Sequence, residues 1–253
     1  MTWTCGKFEI DLASTRVMGI VNVTPDSFSD GGLYLRPGDA VSYARALVKD
    51  GADIIDVGAE STRPGHHPLS AATEWARLDA VLRQMLRELP GVPVSVDTYH
   101  VETARRALDA GAAAINCVYT PDAEMWQLVE ESGCGFVVPV KDYRSLGAQV
   151  LQDPMVGFDT TREEDIAILG SIRRLSEKAP VLVGVSRKRV IGTLSGEAEP
   201  ARRLGGSVGA AVWCAMCGAS VVRVHDVKET KEALAVVGAL AQQEGGAPWN
   251  GIK

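Results

Sequence analysis

Short apolar runs that each stop at a polar residue recur eight times along this 253-residue chain. A strand that is buried on both faces of a parallel sheet reads as a continuous apolar run. Helix-like segments separate most of these runs, and eight alternating strand and helix units predict an α/β fold, a TIM-type (β/α)8 barrel. The eight runs are Val17–Val21, Ile54–Val57, Val92–Val96, Ala112–Ile115, Phe136–Val140, Val150–Leu151, Val181–Val185 and Val221–Val224.

The predicted helices alternate with these runs except in the fifth unit. Only twelve residues lie between Val140 and Asp153, and a crossover that holds a helix needs at least ~10–12 residues. This unit therefore holds either a very short helix or an irregular stretch of barrel. No linker or composition shift divides the chain, which predicts one domain over residues 1–253. The predicted helices are Asp39–Lys49, Ala71–Glu88, Val101–Asp109, Asp122–Glu131, Arg162–Glu177, Ala201–Cys217 and Lys228–Gln243.

The composition of the chain limits the kinds of partner and the cellular location that we expect for it. The net charge of −6 gives no general reason for nucleic-acid binding. No apolar run approaches the ~20 residues of a membrane span, and the first residues lack the apolar stretch of a signal peptide. Five cysteines without framework spacing fit a reducing compartment. We therefore expect a cytoplasmic protein with neither a nucleic-acid nor a membrane partner, in which the Cys214-x-x-Cys217 pair belongs to the core.

The polar residues that end the runs are the first candidates for an active site, because barrels of this type carry theirs at the C-terminal strand ends. Two long loops at the same end, Val23–Pro37 and Ala59–Ser70, are rich in Gly, Pro, Ser and Asp, so neither continues as a helix. Loops in this position serve as lids and binding loops. The polar ends are Asn22, Glu60, Asp97, Asn116, Lys141, Asp153, Ser186 with Lys188, and His225.

Basic side chains gather at this end of an acidic protein. Arg63 lies in the second loop, and Ser186 and Lys188 follow the seventh strand. Arg223 and His225 are two residues apart at the end of the eighth strand, so both point to the same side. The planar fork of arginine suits phosphate oxygens, and barrels often bind phosphate near the loops after strands seven and eight. The pattern predicts an anionic ligand, with phosphate or pyrophosphate favoured.

Carboxylates and an amide end three other strands, at Asp97, Asn116 and Asp153. A carboxylate in a barrel mouth needs a partner, because an unpaired buried charge is costly. One possible partner is Lys188, through an ion pair. The other is a ligand edge rich in N–H donors, such as a guanidine-like heterocycle, since a carboxylate accepts two N–H bonds side by side.

Two further polar residues each allow two interpretations. Asn22 exposes a carbonyl oxygen that completes a Mg²⁺ shell beside a pyrophosphate, or it starts a turn. Asp56 lies inside the second run and is either a functional carboxylate or a core ion-pair partner. No nucleophile–base pair, P-loop or dinucleotide fingerprint stands out in the sequence. This favours a reaction in which the protein positions two small molecules and stabilises a leaving anion.

Five segments together resemble the dihydropteroate synthases. They are MGIVNVTPDSFSDGG (18–32), GADIIDVGAESTRPG (51–65), PVSVDT (93–98), VLVGVSRKRVIG (181–192) and VRVHDV (222–227). They cover both long loops and five strands, and the N-x-T-P-D-S-F and S-T-R-P-G blocks are specific in combination. The resemblance implies a pterin-binding barrel enzyme of folate biosynthesis. Such an enzyme joins 6-hydroxymethyl-7,8-dihydropterin pyrophosphate to p-aminobenzoate and releases pyrophosphate with the help of Mg²⁺.

The same resemblance implies roles for particular residues. The implied pterin pocket comprises Asp97, Asn116, Asp153 and Lys188. The implied pyrophosphate and Mg²⁺ site comprises Asn22, Thr62, Arg63, Arg223 and His225. The implied p-aminobenzoate region comprises Phe28, Pro64, Ser186 and Lys188. The catalytic residues are thereby Lys188, Arg63, Arg223 and His225, with Asn22 as the metal ligand. A homodimer through the last helices is implied as well, and the helix over 205–217 is apolar nearly all round.

The chain departs from the family pattern at three places. Cys117 stands after Asn116, where the family usually has Asp, and VVPVKDYRS (137–145) replaces a Met-His-Met-type block and its helix. The segment Asp153–Thr160 lacks two glycines and a lysine. Two alternatives therefore stay open: a divergent pterin-binding paralogue with another acceptor or no turnover, and a methyltetrahydrofolate-dependent methyl-transfer domain. The second has no reason to keep the pyrophosphate residues.

Overall fold

A computed structural model of the chain describes residues 1–24, 37–60 and 68–243. Within these ranges the chain forms ten β strands and eight α helices. The strands are β1 (Thr2–Cys5), β2 (Phe8–Asp11), β3 (Arg16–Asn22), β4 (Ile54–Gly58), β5 (Val94–Asp97), β6 (Ala114–Asn116), β7 (Gly135–Pro139), β8 (Val150–Asp153), β9 (Leu182–Gly184) and β10 (Val221–Val224). The helices are α1 (Pro37–Lys49), α2 (Ala71–Glu88), α3 (Val101–Ala110), α4 (Ala123–Ser132), α5 (Arg162–Ser176), α6 (Arg189–Ser195), α7 (Leu204–Met216) and α8 (Val227–Gln243).

Strands β3 to β10 are parallel and form one sheet in the order β8-β7-β6-β5-β4-β3-β10-β9. Gln152 of β8 pairs with Val181 immediately before β9, which closes the sheet into a barrel. The buried amide of Gln152 also donates to the carbonyls of Leu175 and Ala179, each at 3.0 Å. Each of the eight apolar runs corresponds to one of these strands, so the predicted (β/α)8 barrel is confirmed.

The barrel interior changes from apolar to polar along the strands. Successive residues of a strand face alternately the helices and the interior. One buried apolar cluster fills the interior near the N-terminal strand ends, and it includes Trp3, Met18, Ile54, Val137, Leu151, Leu182 and Val221. Two residues further along their strands, the same side carries Asp56, Asp153 and Arg223. The candidate site therefore lies at the C-terminal end of the barrel.

An antiparallel hairpin of β1 and β2 covers the N-terminal end. Trp3 is fully buried, and its Nε1 donates to the carbonyl of Gln149 at 2.7 Å. The backbone N–H of Thr4 donates to the carbonyl of Ala148 at 2.8 Å, next to the start of β8. The sequence did not predict this hairpin, because each strand has only four residues and an isolated two-stranded hairpin is marginally stable.

The fifth unit is irregular, as the sequence predicted. A single 3-10 turn, Val140–Asp142, follows β7, and the chain then runs without a helix to β8. Tyr143 and Leu146 pack against the main buried cluster in place of helix side chains. The guanidinium of Arg144 lies 3.8 Å from the ring centroid of Trp126 on α4. Side chains of the connecting segment thus cover the barrel where a helix is missing.

Two helices differ from the prediction. Helix α6 has no clear signal in the sequence, because its seven residues make less than two turns and include Gly192, a poor helix former. Helix α7 begins at Leu204 instead of Ala201, since Pro200–Arg202 form a separate 3-10 turn. Across residues 1–24, 37–60 and 68–243, no helix has the length and apolar character that crossing a membrane requires.

Candidate active site

The strand register brings several predicted site residues side by side. Asp97 of β5 pairs with Asn116 of β6 and, on its other side, with Gly58 of β4. A Cβ atom at Gly58 would lie only 3.2 Å from the Cβ atom of Asp97. The glycine therefore leaves the space that the Asp97 carboxylate occupies. Asp153 ends β8 opposite Pro139 of β7.

Arg223 is the centre of a buried ion-pair network. Its Nε donates to Asp56 Oδ2 at 2.6 Å, and its Nη2 donates to Asp97 Oδ2 at 2.9 Å. Asn116 Nδ2 donates to the same Asp56 oxygen at 3.2 Å. Asp56 is thus an ion-pair partner, one of the two interpretations that its sequence allowed. In this structure the Arg223 guanidinium pairs with both carboxylates, and its predicted contact with a pyrophosphate stays a prediction.

Several buried oxygens on the interior face of the barrel have no hydrogen-bond donor in the described structure. Asp56 Oδ1, Asn116 Oδ1 and Ser95 Oγ are buried and have no hydrogen-bond partner in the described structure. A buried polar atom without a partner costs about 1–3 kcal/mol. Because all three are able to accept a hydrogen bond, the barrel mouth suits a ligand that presents several N–H donors.

Burial dominates the electrostatics of the mouth. It raises the pKa of Asp97 to about 7, although the Arg223 guanidinium opposes this shift. Burial also raises the pKa of Asp153, against the nearby ammonium of Lys188. The charge of Asp56 raises the pKa of Asp97 further. Three carboxylates thus share this region with the cations of Arg223 and Lys188, and added N–H donors would stabilise the ionised forms of Asp97 and Asp153.

Two contacts position the ammonium group of Lys188. Its Nζ donates to the carbonyl of Val156 at 2.5 Å and lies 4.5 Å from the ring centroid of Phe158. Burial lowers its pKa to about 8, and the Asp153 carboxylate opposes this shift. The ammonium therefore changes its charge within the pH range in which most enzymes are assayed.

The loop after β8 that holds Lys188 is fixed by a buried carboxylate at the start of α5. Asp165 Oδ1 accepts hydrogen bonds from the backbone N–H of Gly157 at 2.6 Å and from Thr160 Oγ1 at 2.5 Å. Its Oδ2 accepts from Arg162 Nη1 at 2.7 Å. Thr160 stands where the family usually has lysine. This departure therefore replaces a cation with a hydroxyl that ties the loop to α5.

Ser186 and His225, which the resemblance assigns to the p-aminobenzoate and pyrophosphate regions, lie together. Ser186 Oγ is 3.0 Å from His225 Nδ1 and accepts a hydrogen bond from the His225 backbone N–H at 3.2 Å. Ser186 is buried, whereas His225 is half-buried. The pair joins the segment after β9 to the end of β10.

The other predicted residues that the structure describes are Asn22, Glu60 and Lys141. Asn22 is half-buried at the end of β3, where it pairs with Gly58. Glu60 accepts hydrogen bonds from the Leu69 backbone at 3.1 Å and from the Tyr99 hydroxyl at 3.0 Å, and Lys141 is exposed. Four predicted residues lie outside the described part of the chain, namely Phe28, Thr62, Arg63 and Pro64. The described residues contain no group of three or more His, Cys, Asp or Glu that is able to hold a metal ion.

Two observations refine the sequence analysis. Ser95 was missed as a residue of the interior, although it lies two positions before Asp97 on the same strand and therefore on the same face. Cys117, a departure from the family pattern, belongs to the buried cluster between barrel and helices. Its thiol lies 3.2 Å from the carbonyl of Tyr119, and burial raises its pKa to about 12. The departure therefore does not line the barrel interior.

A family model described as "pterin binding enzyme" matches residues 18–146 and 145–225. Fold and site together define a barrel enzyme of the pterin-binding class. The dihydropteroate synthase of Neisseria meningitidis serogroup B is 36% identical in an alignment that covers 94% of this chain and 97% of that relative. The chain belongs to the dihydropteroate synthase family, which confirms the resemblance seen in the sequence.

Solved structures agree with this assignment. The dihydropteroate synthase of Xanthomonas albilineans with 4-aminobenzoic acid has a TM-score of 0.88 and 35% identity, with 95% of this chain and 98% of that chain covered. The enzyme of Thermus thermophilus in complex with 6HMPPP has a TM-score of 0.82 and 37% identity, with coverage of 95% and 100%. The likeness extends over nearly the whole barrel.

Proposed function

We propose that this chain condenses 6-hydroxymethyl-7,8-dihydropterin pyrophosphate with p-aminobenzoate and releases pyrophosphate. The observation that carries the proposal is the set of buried acceptors in the barrel mouth, where Asp56 Oδ1 and Asn116 Oδ1 have no partner in the described structure. A pterin presents ring and exocyclic N–H donors along one edge. The ligands of the solved relatives, 4-aminobenzoic acid in one and 6HMPPP in another, support the same pair of substrates.

The pterin would bind through complementary hydrogen bonds. Asp97 and Asn116 accept from its N–H groups, and Asp153 accepts through the oxygen that the Met155 backbone N–H does not occupy. The Lys188 ammonium donates to a ring acceptor. A carboxylate that accepts N–H bonds is favoured in its ionised form, so pterin binding would lower the pKa of Asp97 from its raised value.

The reaction exchanges one bond for another at the pterin methylene carbon. The C–O bond to pyrophosphate breaks, the amine nitrogen of p-aminobenzoate forms a C–N bond, and the amine loses a proton to solvent or to pyrophosphate. We assign stabilisation of the leaving anion to His225 and Arg63. We assign to Arg223 the orientation of Asp56 and Asp97, which it holds through its two ion pairs. Preorganised charge of this kind is the main catalytic resource when no covalent intermediate is formed.

Asn22 fits a Mg²⁺ ion that accompanies the pyrophosphate. It ends β3 half-buried beside Gly58, which has no side chain to cover it. Mg²⁺ in phosphate sites usually takes one or two protein oxygens together with phosphate oxygens and waters. Asn22 Oδ1 would hold the ion with the pyrophosphate oxygens, and the ion would neutralise charge on the leaving group.

The proposed reaction is tested by pyrophosphate release from the pterin substrate. Release should require both p-aminobenzoate and Mg²⁺, and mass spectrometry should find 7,8-dihydropteroate. Calorimetric binding of the pterin substrate by folded protein, without release of pyrophosphate, would instead identify a paralogue without this turnover. Tighter binding of methyltetrahydrofolate than of the pterin substrate would point to methyl transfer.

We further propose a homodimer formed by the outer faces of α7 and α8. Trp213 and Met216 on α7 are 53% and 45% exposed, and Val236 and Leu240 on α8 are 60% and 63% exposed. The two helices pack against each other, so these side chains form one apolar surface of the kind that marks an interface. Light scattering should give a dimer for the unmodified chain and a monomer for Trp213→Glu.

A matched control for the dimer is Ile166→Glu, because Ile166 is 44% exposed on α5. This variant should remain dimeric. A monomeric unmodified chain, or equal dissociation of both variants, would contradict the proposed interface.

We also propose a cytoplasmic location. All five cysteines are free and buried, as is usual for proteins of a reducing compartment. Fractionation of cells that express the chain should recover it with a cytosolic marker. Recovery from an oxidising compartment or with membranes would contradict this location.

A further inference from the structure

The turn between β9 and α6 carries Ser186, Arg187 and Lys188 in an unfavourable backbone conformation. Arg187 has φ of +60°, in the left-handed region that non-glycine residues rarely adopt. Its two neighbours are the serine beside His225 and the lysine of the proposed pterin site. Some other part of the molecule must therefore hold this turn in place.

The buried side chain of Arg203, just before α7, stabilises this turn through hydrogen bonds. Its Nη1 donates to the carbonyls of Arg187 at 2.9 Å and Lys188 at 3.4 Å, and its Nε donates to the carbonyl of Glu197 at 2.9 Å. Its Nη2 donates to the carbonyl of Ala198. Only 8% of Arg203 is exposed, and within the described residues it has no carboxylate partner. One guanidinium thus binds four backbone carbonyls, two of them in the strained turn.

Two neighbouring residues complete the arrangement. A Cβ atom at Gly192 would lie 2.6 Å from Arg203 Nε, so only glycine at this position of α6 leaves room for the guanidinium. Ser207 Oγ accepts a hydrogen bond from the Arg187 backbone N–H at 2.9 Å and donates to the Arg203 carbonyl at 2.7 Å. The peptide groups on both sides of Arg187 are therefore held from the first turn of α7.

We propose that Arg203 is a positioning residue for the reaction: it fixes the turn from which Lys188 reaches the pterin and Ser186 reaches His225. Lys188 Nζ donates to the Val156 carbonyl from this turn, so a shift of the turn would move the ammonium. This inference rests on the proposed function. It extends the active site to α7, a helix that the family motifs in the sequence do not include.

The first test removes the guanidinium. Arg203→Met should lower kcat/KM for the pterin substrate about 100-fold, since a displacement of about 1 Å in a positioned group has an effect of that size. Arg203→Lys, which keeps the charge but loses the planar fork, should recover part of this loss. The matched control is Arg202→Met: Arg202 is 76% exposed at its side chain, and its loss should leave kcat/KM within about twofold.

The second test displaces the guanidinium without removing it. Gly192→Ala should lower kcat/KM about as much as Arg203→Met, because the new Cβ atom and the guanidinium compete for the same space. The double variant should be little worse than either single variant, since both remove one interaction. Fully additive losses would overturn the proposed link between Gly192 and Arg203.

A variant of matched stability distinguishes a positioning role of Arg203 from a purely structural one. Met85 is fully buried near the C-terminal end of α2, at the opposite end of the barrel. Met85→Ala should lower the Tm at least as much as Arg203→Met yet leave pterin affinity, measured by calorimetry, within about twofold. Equal loss of affinity in both variants, or normal affinity in Arg203→Met, would overturn the proposal.

Failure of the proposed function remains distinguishable from failure of this inference. If the unmodified chain binds the pterin substrate without releasing pyrophosphate, the calorimetric comparison still decides the role of Arg203. If it does not bind, amide exchange of residues 186–192 decides, because it needs no substrate. Exchange there should be faster in Arg203→Met than in Arg202→Met, and equal exchange would overturn the proposal.

Discussion

The two ends of the barrel share the same strands but differ in how their side chains are satisfied. At the N-terminal end Trp3 belongs to the same buried apolar cluster as Met18, and the single polar atom of its side chain donates to the Gln149 carbonyl. At the C-terminal end Asp56 and Asn116 each keep a buried oxygen without a partner in the described structure. The first end gains stability from burial, whereas the second gives up part of its stability to hold groups ready for a ligand.

Backbone strain follows the same division. In the described ranges, the non-glycine residues with positive φ are Met155, Asp159 and Arg187. All three lie in loops that leave the C-terminal ends of β8 and β9. Strained conformations persist only where the surroundings fix them, and here Asp165 and Arg203 do so through several hydrogen bonds each. The contrast between the ends can be tested by variants that affect one end only.

The largest effect is expected from Trp3→Ala at the N-terminal end. Loss of this fully buried ring should lower the free energy of unfolding by about 3–5 kcal/mol, as measured by chemical denaturation. At a temperature where the variant is folded, kcat/KM should stay within about threefold. Lys7→Ala, an exposed position of the same hairpin, should change neither quantity. A loss of activity in folded Trp3→Ala would contradict the expectation that the N-terminal end contributes to stability and not to activity.

Lys188→Met at the C-terminal end should have the opposite effect, a loss of activity without a loss of stability. We expect kcat/KM to fall at least ~100-fold, because a positioned charge-bearing donor is lost. Burial lowers the pKa of Lys188 to about 8, so protonation costs stability as the pH falls through that value. The free energy of unfolding at pH 7 should therefore be unchanged or higher. Lys141→Met, at an exposed lysine, should leave both quantities unchanged.

The pH profile should reveal the raised pKa of Asp97. In the free enzyme kcat/KM should fall below pH about 7 as Asp97 is protonated, and above pH about 8 as Lys188 loses its proton. Asp97→Asn should remove the acid limb. Because folding raises the Asp97 pKa above its ordinary value, its stability contribution is present at low pH and lost as the pH rises towards 7. An acid limb that survives in Asp97→Asn would contradict this assignment.

The smallest effect is expected in the fifth unit, from Arg144→Ala. This change removes a cation–π contact with Trp126 and a half-exposed ion pair with Glu130, together worth about 0.5–1 kcal/mol. The Tm should fall slightly, and kcat/KM should not change. A marked loss of activity would show that the segment replacing the helix belongs to the functional part of the molecule.

The barrel was predictable because its signal is local. Each run such as Val17–Val21 is apolar because both faces of the strand are buried, and this is visible without knowledge of its neighbours. The site was partly predictable for the same reason: Asp97, Asn116 and Asp153 mark the points where the runs end. The fifth unit was predicted to be shortened or irregular from the length of its connecting segment alone.

The features that sequence reasoning missed depend on contacts between distant parts of the chain. Arg223 and Asp56 are separated by 167 positions, and no local pattern pairs them. Arg203 acts through backbone carbonyls, which every residue carries, so its partners leave no trace in side-chain type. The hairpin around Trp3 consists of strands too short to rise above the background of local propensity.

The closure of the barrel at Gln152 has a mechanical consequence. Strand β8 has a full ladder with β7 on one side but a single bridge towards β9 on the other, and the connection before it contains no helix. We expect β8 to be the strand that detaches first in local opening of the barrel. Asp153 ends this strand. A pterin bound by that carboxylate and by residues of other strands would therefore oppose the detachment of β8, and substrate binding would raise the stability of the barrel.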